Sequence, residues 1–337
     1  MFPDQLHAGD HPRRPRGRCH HRKRAARARD QAVARGVPPA RGGVDPGLGR
    51  RSRRDGARVS GASGENDSLL PRPGGGNQRF LARGQRYLPG IYGGVGPLSH
   101  TLFEQLLLEA SGRRGARTDQ DHPVWLLASA SSTPNRMHSL SGAGEPAEPY
   151  LRHFAHLLQA AGADALFVVC NTAHAYHAAV QRDLRIPWIH LMDVTVDSIR
   201  RQHPGVERVG VVGTDGTLET GLYARALARH GMREIAPVPG SPEQRAVMAA
   251  IFEEGWGIKA TGAAVSERAR SELAWVARWL MGQGAQVVIP ACTEVSVALT
   301  PESFSAYPLV DPLRVAAEVL LDVANGVRTP EEFRVSV

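Results

Sequence analysis

The stretch ADALFVVCNTAHAYH, residues 163–177, is the part of the sequence that decides the fold. Its apolar residues 165–169 form a short continuous run, which is typical of a buried strand. The run ends at Cys170, and Asn171 and Thr172 lead into a helix-like segment. A turn between a strand and a helix N-terminus exposes backbone N–H groups, which lower the pKa of a thiol and bind carboxylates. The stretch therefore predicts a strand, a cysteine-bearing turn and a helix.

The same arrangement occurs a second time. The segment GAQVVIPACTE, which ends two residues after Cys292, aligns with GADALFVVCNT, which ends two residues after Cys170. Upstream, GIYGGVGP at Gly90 aligns with GVVGTDGT at Gly210. The glycine-to-cysteine spacing is 80 residues in the first copy (90 to 170) and 82 in the second (210 to 292). We interpret the chain as two equivalent halves that each contribute one cysteine to a shared cleft.

Apolar strand-like runs alternate with helix-like segments from residue 87 onward, which indicates an α/β fold with parallel sheets. Two such halves predict two pseudo-symmetric doubly wound lobes, with the site in the cleft between them at the carboxyl ends of the strands. The predicted divisions are a basic Arg/Gly/Pro-rich extension (1–86), a first lobe (87–205), a second lobe (206–325) with a closing helix at about 311–325, and a tail (326–337).

The composition is that of a soluble globular protein. Hydrophobic residues make up 42% of the 337 residues, which is sufficient for a sizeable core. Three cysteines do not form a disulfide framework, and no signal-peptide pattern opens the chain. The apolar runs are too short for a membrane span. A reducing compartment suits free thiols, so we expect a cytoplasmic location.

The positive charge of the chain belongs to one segment. Residues 1–86 hold 20 Lys and Arg against 7 Asp and Glu, whereas the remainder holds 21 against 26. The segment lacks an apolar period, so we predict a disordered extension. Its only aromatic residues are Phe2 and Phe80, which argues against binding to nucleic acid. Cys19, beside His20 and His21, lacks a second pair of ligands, and we predict no metal site.

Two cysteines on facing lobes suggest a specific reaction. One thiolate removes a proton from a carbon atom, and the opposite thiol returns a proton to the other face. This inverts a stereocentre without a cofactor. The alternative is that Cys170 and Cys292 are small buried hydrophobic residues. Their matching register, with Asn-Thr or Thr following each, favours the catalytic interpretation.

The motifs GIYGGVGP, STPNR, VVCNTAH, IPWIHLMD, VGVVGTDGT, GIKATG and ACTEVS occur in this order within residues 88–325. In this arrangement the sequence resembles the aspartate/glutamate racemase family. The resemblance implies a homodimer of two-lobed subunits that racemise a small-molecule amino acid, aspartate or glutamate, without pyridoxal phosphate. It also implies that Cys170 and Cys292 are the two acid/base residues.

The resemblance implies further site residues. Asn171, Thr172 and Thr293 would bind the α-carboxylate of the substrate through amide and hydroxyl donors. Arg136 and Lys259 would hold its side-chain carboxylate. The alternatives are that Arg136 is a surface ion-pair partner and that Lys259 is a solvated lysine.

Four more residues support the predicted site. Gly94 belongs to a turn that suits an anion, and Thr133 belongs to the loop that carries Arg136 over the cleft. His174, one helical turn after Cys170, either promotes the thiolate or only packs. Glu294 either tunes the Cys292 thiol or caps the following helix.

Two departures from the family pattern lie near the site. Asn135 replaces the aspartate that many members have, and Pro290-Ala291 replaces the commoner Leu-Gly. Because of both departures, the resemblance does not determine the side chain of the substrate. The rival interpretations are a hydantoin racemase, a maleate isomerase or a non-catalytic ligand-binding module. An arylmalonate decarboxylase needs one cysteine, so the pair argues against it. No cofactor is predicted, because Schiff-base chemistry needs a lysine and the body offers only Lys259.

Overall fold

The computed structural model describes residues 80–305 and 307–334 and contains two parallel three-stranded sheets in this part of the chain. The strands are β1 (Pro89–Gly93), β2 (Leu126–Ser129), β3 (Ala165–Val168), β4 (Arg208–Val212), β5 (Arg233–Ile235) and β6 (Val287–Pro290). The strand orders are β2-β1-β3 and β5-β4-β6. A parallel bridge extends each sheet past its third strand, from Leu166 to Trp188 and from Val288 to Leu309. The two sheets are therefore equivalent, as the sequence repeat predicts.

Helices connect these strands. They are α1 (Pro97–Arg113), α2 (Arg136–Leu140), α3 (Glu148–Ala160), α4 (His177–Gln181), α5 (Leu191–Gln202), α6 (Asp215–Glu219), α7 (Leu222–Ala228), α8 (Pro242–Phe252), α9 (Ile258–Thr261), α10 (Glu267–Gly282), α11 (Thr293–Ala298) and α12 (Pro312–Ala324). Short 3-10 segments cover Asp119–Asp121, Thr172–Tyr176 and Pro330–Phe333.

The core is shared between the two sheets. Ile91 and Phe167 of the first sheet and Val209 and Ile289 of the second belong to one buried cluster, which also contains residues of α1, α5, α7 and α12. Helix α3 covers the outer face of the first sheet, and α8 and α10 cover that of the second. Each sheet is thus buried on both faces, as parallel sheets require. This confirms the predicted α/β class with parallel sheets.

The folded body begins before the predicted boundary at residue 86. The Gln85 side chain is buried and donates hydrogen bonds to the carbonyl oxygens of Tyr87 and Val124 at 2.8 Å. The Arg86 backbone N–H donates to the carbonyl oxygen of Ala324 at 2.7 Å, at the end of α12. Residues 1–79 of the predicted basic extension, including Cys19, lie outside the described residues.

Local structure differs from the prediction where tertiary contacts outweigh sequence pattern. The apolar run at 186–192 contributes only the bridge at Trp188, and α5 begins at Leu191. The sequence pattern at 218–230 favours a single helix, but Gly221, whose φ of 59° is left-handed, separates α6 from α7. In residues 80–305 and 307–334, no helix combines the length and apolarity needed to cross a membrane.

Candidate active site

A cavity lies at the carboxyl ends of the strands, where the two halves meet. Cys170 follows β3, Cys292 follows β6, and each cysteine is 7% exposed on the wall of this cavity. Its volume is about 380 Å³, including space that opens to solvent. The remaining lining residues are Val95, Asn135, Arg136, Met137, Asn171, Thr172, Thr214, Phe252, Lys259, Thr293 and Glu294. Open α/β sheets bind ligands at this edge, so the position suits a substrate site.

Most of the residues predicted from the sequence lie together on this wall. They are Cys170, Cys292, Arg136, Asn171, Thr172, Lys259, Thr293 and Glu294. Gly94, Thr133 and His174 are not among the lining residues. Gly94 directly precedes the lining residue Val95, Thr133 accepts a hydrogen bond from Arg136, and His174 is bonded to the Cys170 carbonyl oxygen.

The Cys292 thiol contacts a carboxylate. Its Sγ donates to Glu294 Oε2 at 3.1 Å, and Thr293 Oγ1 donates to the same oxygen at 3.3 Å. Burial, together with the Glu294 charge, raises the pKa of the Cys292 thiol well above its usual value. This is the opposite of the lowering expected from a helix N-terminus, because loss of hydration and a neighbouring negative charge both disfavour a thiolate. Cys292 therefore holds its proton in this arrangement.

Lys259 forms an ion pair with Glu294, through Nζ and Oε1. Burial alone would raise the pKa of Glu294, but the Lys259 charge outweighs it and the pKa is lowered. Burial would likewise lower the pKa of Lys259, but the Glu294 carboxylate outweighs it and the pKa is raised. Both groups are consequently charged. Lys259, expected to be a free clamp or a solvated lysine, is instead a partner of the carboxylate that contacts Cys292.

His174 holds the backbone of Cys170. Its Nδ1 lies 2.8 Å from the Cys170 carbonyl oxygen, and Trp188 Nε1 lies 3.2 Å from His174 Nε2. Because an indole N–H can only donate, Nε2 accepts and Nδ1 carries the proton. Burial, followed by the neighbouring His190 and His177, lowers the pKa of His174 well below its usual value. His174 is therefore a neutral ring bonded to a backbone carbonyl. This agrees with the interpretation that His174 packs, and not with the one in which it promotes the Cys170 thiolate.

Asn171 lines the cavity and has an unused donor. Its Oδ1 accepts a hydrogen bond from the Tyr223 hydroxyl at 2.7 Å, which fixes the orientation of the amide. Its Nδ2 is buried and has no hydrogen-bond partner among the described residues. A buried N–H without an acceptor is costly, so this atom is suited to bind an acceptor on a ligand.

Three threonine hydroxyls connect the two halves beside the cavity. Thr172 Oγ1 lies 3.0 Å from Thr217 Oγ1 and 3.3 Å from Thr214 Oγ1, and Thr214 and Thr217 are 3.1 Å apart. Thr214 was not predicted as a lining residue. The sequence repeat could have indicated Thr214. When GVVGTDGT is aligned with GIYGGVGP, Thr214 takes the position of Gly94, which is a predicted site residue.

Arg136 binds backbone carbonyl groups. Its Nη1 donates to the carbonyl oxygens of Thr133 at 3.1 Å and Pro134 at 2.9 Å, and its Nη2 donates to that of Val95 at 2.9 Å. Asn135 is the N-cap of α2, and its Oδ1 accepts from the Met137 N–H at 2.9 Å. Asparagine and aspartate are equivalent caps, which gives a physical reason why asparagine is tolerated here.

Gly94 and Thr133 shape the loops behind the wall. Gly94 has a φ of 80°, and a Cβ there would lie 2.4 Å from the backbone nitrogen of Ala130. Thr133 Oγ1 donates to the Ala130 carbonyl oxygen at 2.8 Å and accepts from the Tyr92 hydroxyl at 2.6 Å. Burial raises the pKa of Tyr92 to about 12, so its hydroxyl remains a donor.

The sequence did not indicate the apolar part of the wall, which consists of Val95, Met137 and Phe252. Met137 lies at the contact between the halves, since a Cβ on Gly216 would lie 2.9 Å from Met137 Cγ. In the part of the chain that the structure describes, no group of His, Cys, Asp and Glu has an arrangement that could hold a metal ion.

Comparisons with known proteins agree on one family. The profile of the Asp/Glu/Hydantoin racemase family matches residues 93–320. The broad specificity amino-acid racemase RacX of Bacillus subtilis is 25% identical over 224 residues, which cover 66% of this chain and 91% of that protein. The glutamate racemase of Aquifex aeolicus is 35% identical over 83 residues, which cover 24% of this chain and 32% of that protein.

Solved structures share the fold. An aspartate racemase from Picrophilus torridus superposes with a TM-score of 0.62 at 22% identity, covering 74% of this chain and 98% of that one. An aspartate racemase homologue from Pyrococcus horikoshii superposes with a TM-score of 0.57 at 22% identity, covering 71% and 99%. With the family profile spanning most of the described body, the chain belongs to the Asp/Glu/Hydantoin racemase family.

Proposed function

We propose that this chain is a cofactor-independent amino-acid racemase that uses Cys170 and Cys292 as its paired acid and base. The observation that carries the proposal is the placement of these cysteines. One comes from each half of the repeat, and both lie on the wall of the same cavity. Membership of a racemase family supports the reaction class.

The reaction needs one thiolate and one thiol. As the thiolate removes the α-proton, an S–H bond forms, the C–H bond breaks and its electron pair delocalises into the substrate carboxylate. The opposite thiol then loses its proton to the other face of the same carbon. The product has the inverted configuration, and the two cysteines have exchanged protonation states. Atoms and electrons balance in this reaction without an oxidant, a reductant or a cofactor.

The difficult step is the removal of a weakly acidic α-proton. Donors aimed at the carboxylate stabilise the charge that develops there, and loss of one such donor typically costs about 2.7–4 kcal/mol. Asn171 Nδ2 is the strongest candidate, because it is buried without a partner. The hydroxyls of Thr172 and Thr293 lie on the same wall and would provide further donors.

The two cysteines have different surroundings. Cys292 donates to Glu294 and is a thiol, so it is the acid for the first half-reaction. Cys170 would be the first base, and the enantiomer that presents its Cα–H to Cys170 would react with the resting enzyme. Glu294, with Lys259 behind it, would accept the Cys292 hydrogen bond again once Cys292 has regained its proton.

The test is incubation of the protein with single enantiomers of amino acids in D₂O. Racemisation with one α-deuterium in the inverted product is the expected result. Ligand binding in a thermal-shift assay without inversion or exchange would contradict the proposal and favour a binding module. Inversion of 5-substituted hydantoins alone would indicate the hydantoin branch of the family. A homodimer remains part of the proposal and is testable by light scattering.

A further inference from the structure

The loop after β4 brings the second half of the chain against the first half at the cavity. Thr214 in this loop lines the cavity and is 3% exposed. A Cβ on Gly216 would lie 2.9 Å from Met137 Cγ and 3.2 Å from Thr172 Cγ2, so the loop packs directly against two lining residues. A shift of this loop would therefore change the cavity wall on both sides of the contact.

The hydroxyl groups at this contact share a limited number of protons. Thr172, Thr214 and Thr217 each have one hydroxyl proton and can accept further hydrogen bonds. If Thr172 donates to the substrate carboxylate, its contacts with Thr214 and Thr217 are bonds that it accepts. Thr214 Oγ1 accepts from the Thr217 backbone N–H at 3.3 Å and keeps its own proton for another acceptor. The position of Thr214 therefore influences whether the Thr172 proton faces the substrate.

Gln244 of α8 holds the residues on both sides of Thr214. It is 1% exposed, and its Nε2 donates to the Gly213 carbonyl oxygen at 3.0 Å and to Asp215 Oδ1 at 2.8 Å. Both partners are acceptors, so the amide nitrogen faces them and both of its protons are used. Met248, one helical turn later on α8, accepts from the Asp215 N–H through Sδ at 3.5 Å. One face of α8 thus fixes the loop.

The amide oxygen of Gln244 has no corresponding contact. Oε1 is buried and, among the residues that the structure describes, has no hydrogen-bond partner. The polar contacts of this side chain are consequently the two hydrogen bonds that it donates, and a side chain without N–H donors cannot replace them. The backbone of Gln244 is itself held by the N-cap of α8, because Ser241 Oγ accepts from the Gln244 N–H at 3.1 Å.

We propose that Gln244 is a positioning residue for the racemisation. It is not among the lining residues, and it acts through Thr214 to keep the Thr172 hydroxyl directed at the substrate carboxylate. This inference rests on the proposed function and extends it to a residue of α8. The negative charge on the carboxylate increases as the α-proton leaves, so the contribution of Gln244 belongs mainly to kcat.

The experiment compares kcat and KM of the native full chain and of Gln244→Met, with an amino acid that the native chain racemises. Methionine has a similar length and no N–H donor. We expect kcat/KM to fall about tenfold, with most of the loss in kcat. A change in kcat/KM of less than about twofold in the folded variant would overturn the inference alone. No turnover of any amino acid by the native chain would contradict the proposed function and this inference with it.

Gln286→Met is the matched control. Gln286 Oε1 accepts from the backbone N–H groups of Glu207 and Arg208 at 2.9 Å. These contacts lie at the amino ends of β4 and β6, whereas the cavity lies at their carboxyl ends. The control should lower the melting temperature and leave kcat and KM unchanged. An equal fall in kcat/KM in both variants would show a general effect of weakened packing and would overturn the inference.

A double-mutant cycle tests the route through Thr214. Thr214→Val removes the hydroxyl, so adding Gln244→Met should then lower kcat/KM by less than about threefold, with α-proton exchange as a second readout. Full additive losses would contradict the route. If Gln244→Met does not fold, Gln244→Asn takes its place in the same cycle. It keeps the amide on a shorter side chain, and its loss should again lie mainly in kcat and depend on Thr214.

Discussion

The Lys259–Glu294 ion pair can be tested by substitution of Lys259 with methionine. The substitution keeps an apolar chain of similar length and removes the positive charge. Glu294 then remains next to Cys292 in a site where its side chain is 6% exposed. Removal of one partner from a fully buried pair costs about 3–5 kcal/mol. The Lys259 side chain is 34% exposed, so water screens part of the interaction and we expect a loss of about 1–3 kcal/mol.

The pH dependence of the stability loss distinguishes the loss of the ion pair from a packing defect. In the native chain the pKa of Glu294 is lowered, so its contribution is present above its unfolded pKa, about 4.3, and is lost as the pH falls through the folded value. Without Lys259, burial would raise the folded pKa of Glu294. The penalty would then be absent below about pH 4 and would grow as the pH rises. The difference in stability should therefore be largest near pH 8.

The assay is urea unfolding of the native chain, Lys259→Met, Glu294→Gln and the double variant at pH 4 and pH 8. A coupling energy of about 1–3 kcal/mol at pH 8, and less at pH 4, is expected for two contacting charges. Lys259→Arg, which keeps the charge, is the control and should lose less. A coupling energy below about 0.5 kcal/mol at pH 8 would refute the ion pair as a determinant of stability.

Three further outcomes are expected. Gly94→Ala should destabilise the fold by about 3 kcal/mol, since the left-handed conformation and steric overlap both oppose a Cβ. Gly231→Ala, with a φ of 72° and open space, should lose only about 1–2 kcal/mol in the same melting experiment. Tyr223→Phe removes the hydroxyl that orients the Asn171 amide. We expect kcat/KM to fall roughly tenfold and the free energy of unfolding to fall by about 1 kcal/mol. Unchanged kinetics would show that the amide needs no orientation by Tyr223. A chain lacking residues 1–79 should retain the melting temperature and activity, and insolubility would place part of that segment in the fold.

The repeat made the framework of the fold predictable. Each cysteine follows a fully apolar run, and the similar spacing in the two halves, 80 and 82 residues, places both runs at equivalent positions, as β3 and β6 confirm. Short elements left no comparable signal. Strand β5 has three residues, two of them charged, and is recognisable only through its pairing with β4.

The composition of the site was predictable, but its charge state was not. Cysteine, asparagine and threonine at strand ends are visible in the sequence because topology brings those ends together. Lys259 and Glu294 are 35 residues apart, and only side-chain geometry shows that they neutralise each other. The hydrogen bond from Arg136 to the carbonyl oxygen of Val95, 41 residues earlier, is likewise visible only in the structure. Sequence shows which charges are present, whereas structure shows which are already paired.

The central claim is that Cys170 and Cys292 each serve one face of the substrate. The most direct measurement is α-proton exchange by NMR in D₂O, with each enantiomer of an active substrate, for Cys170→Ser and Cys292→Ser. Serine is similar in size but replaces the thiol with a hydroxyl, whose pKa is far too high for a base. Both variants should lose racemisation in both directions, and any residual exchange should favour opposite enantiomers in the two variants. Melting curves establish that each is folded. Robust racemisation by either folded variant would contradict the account.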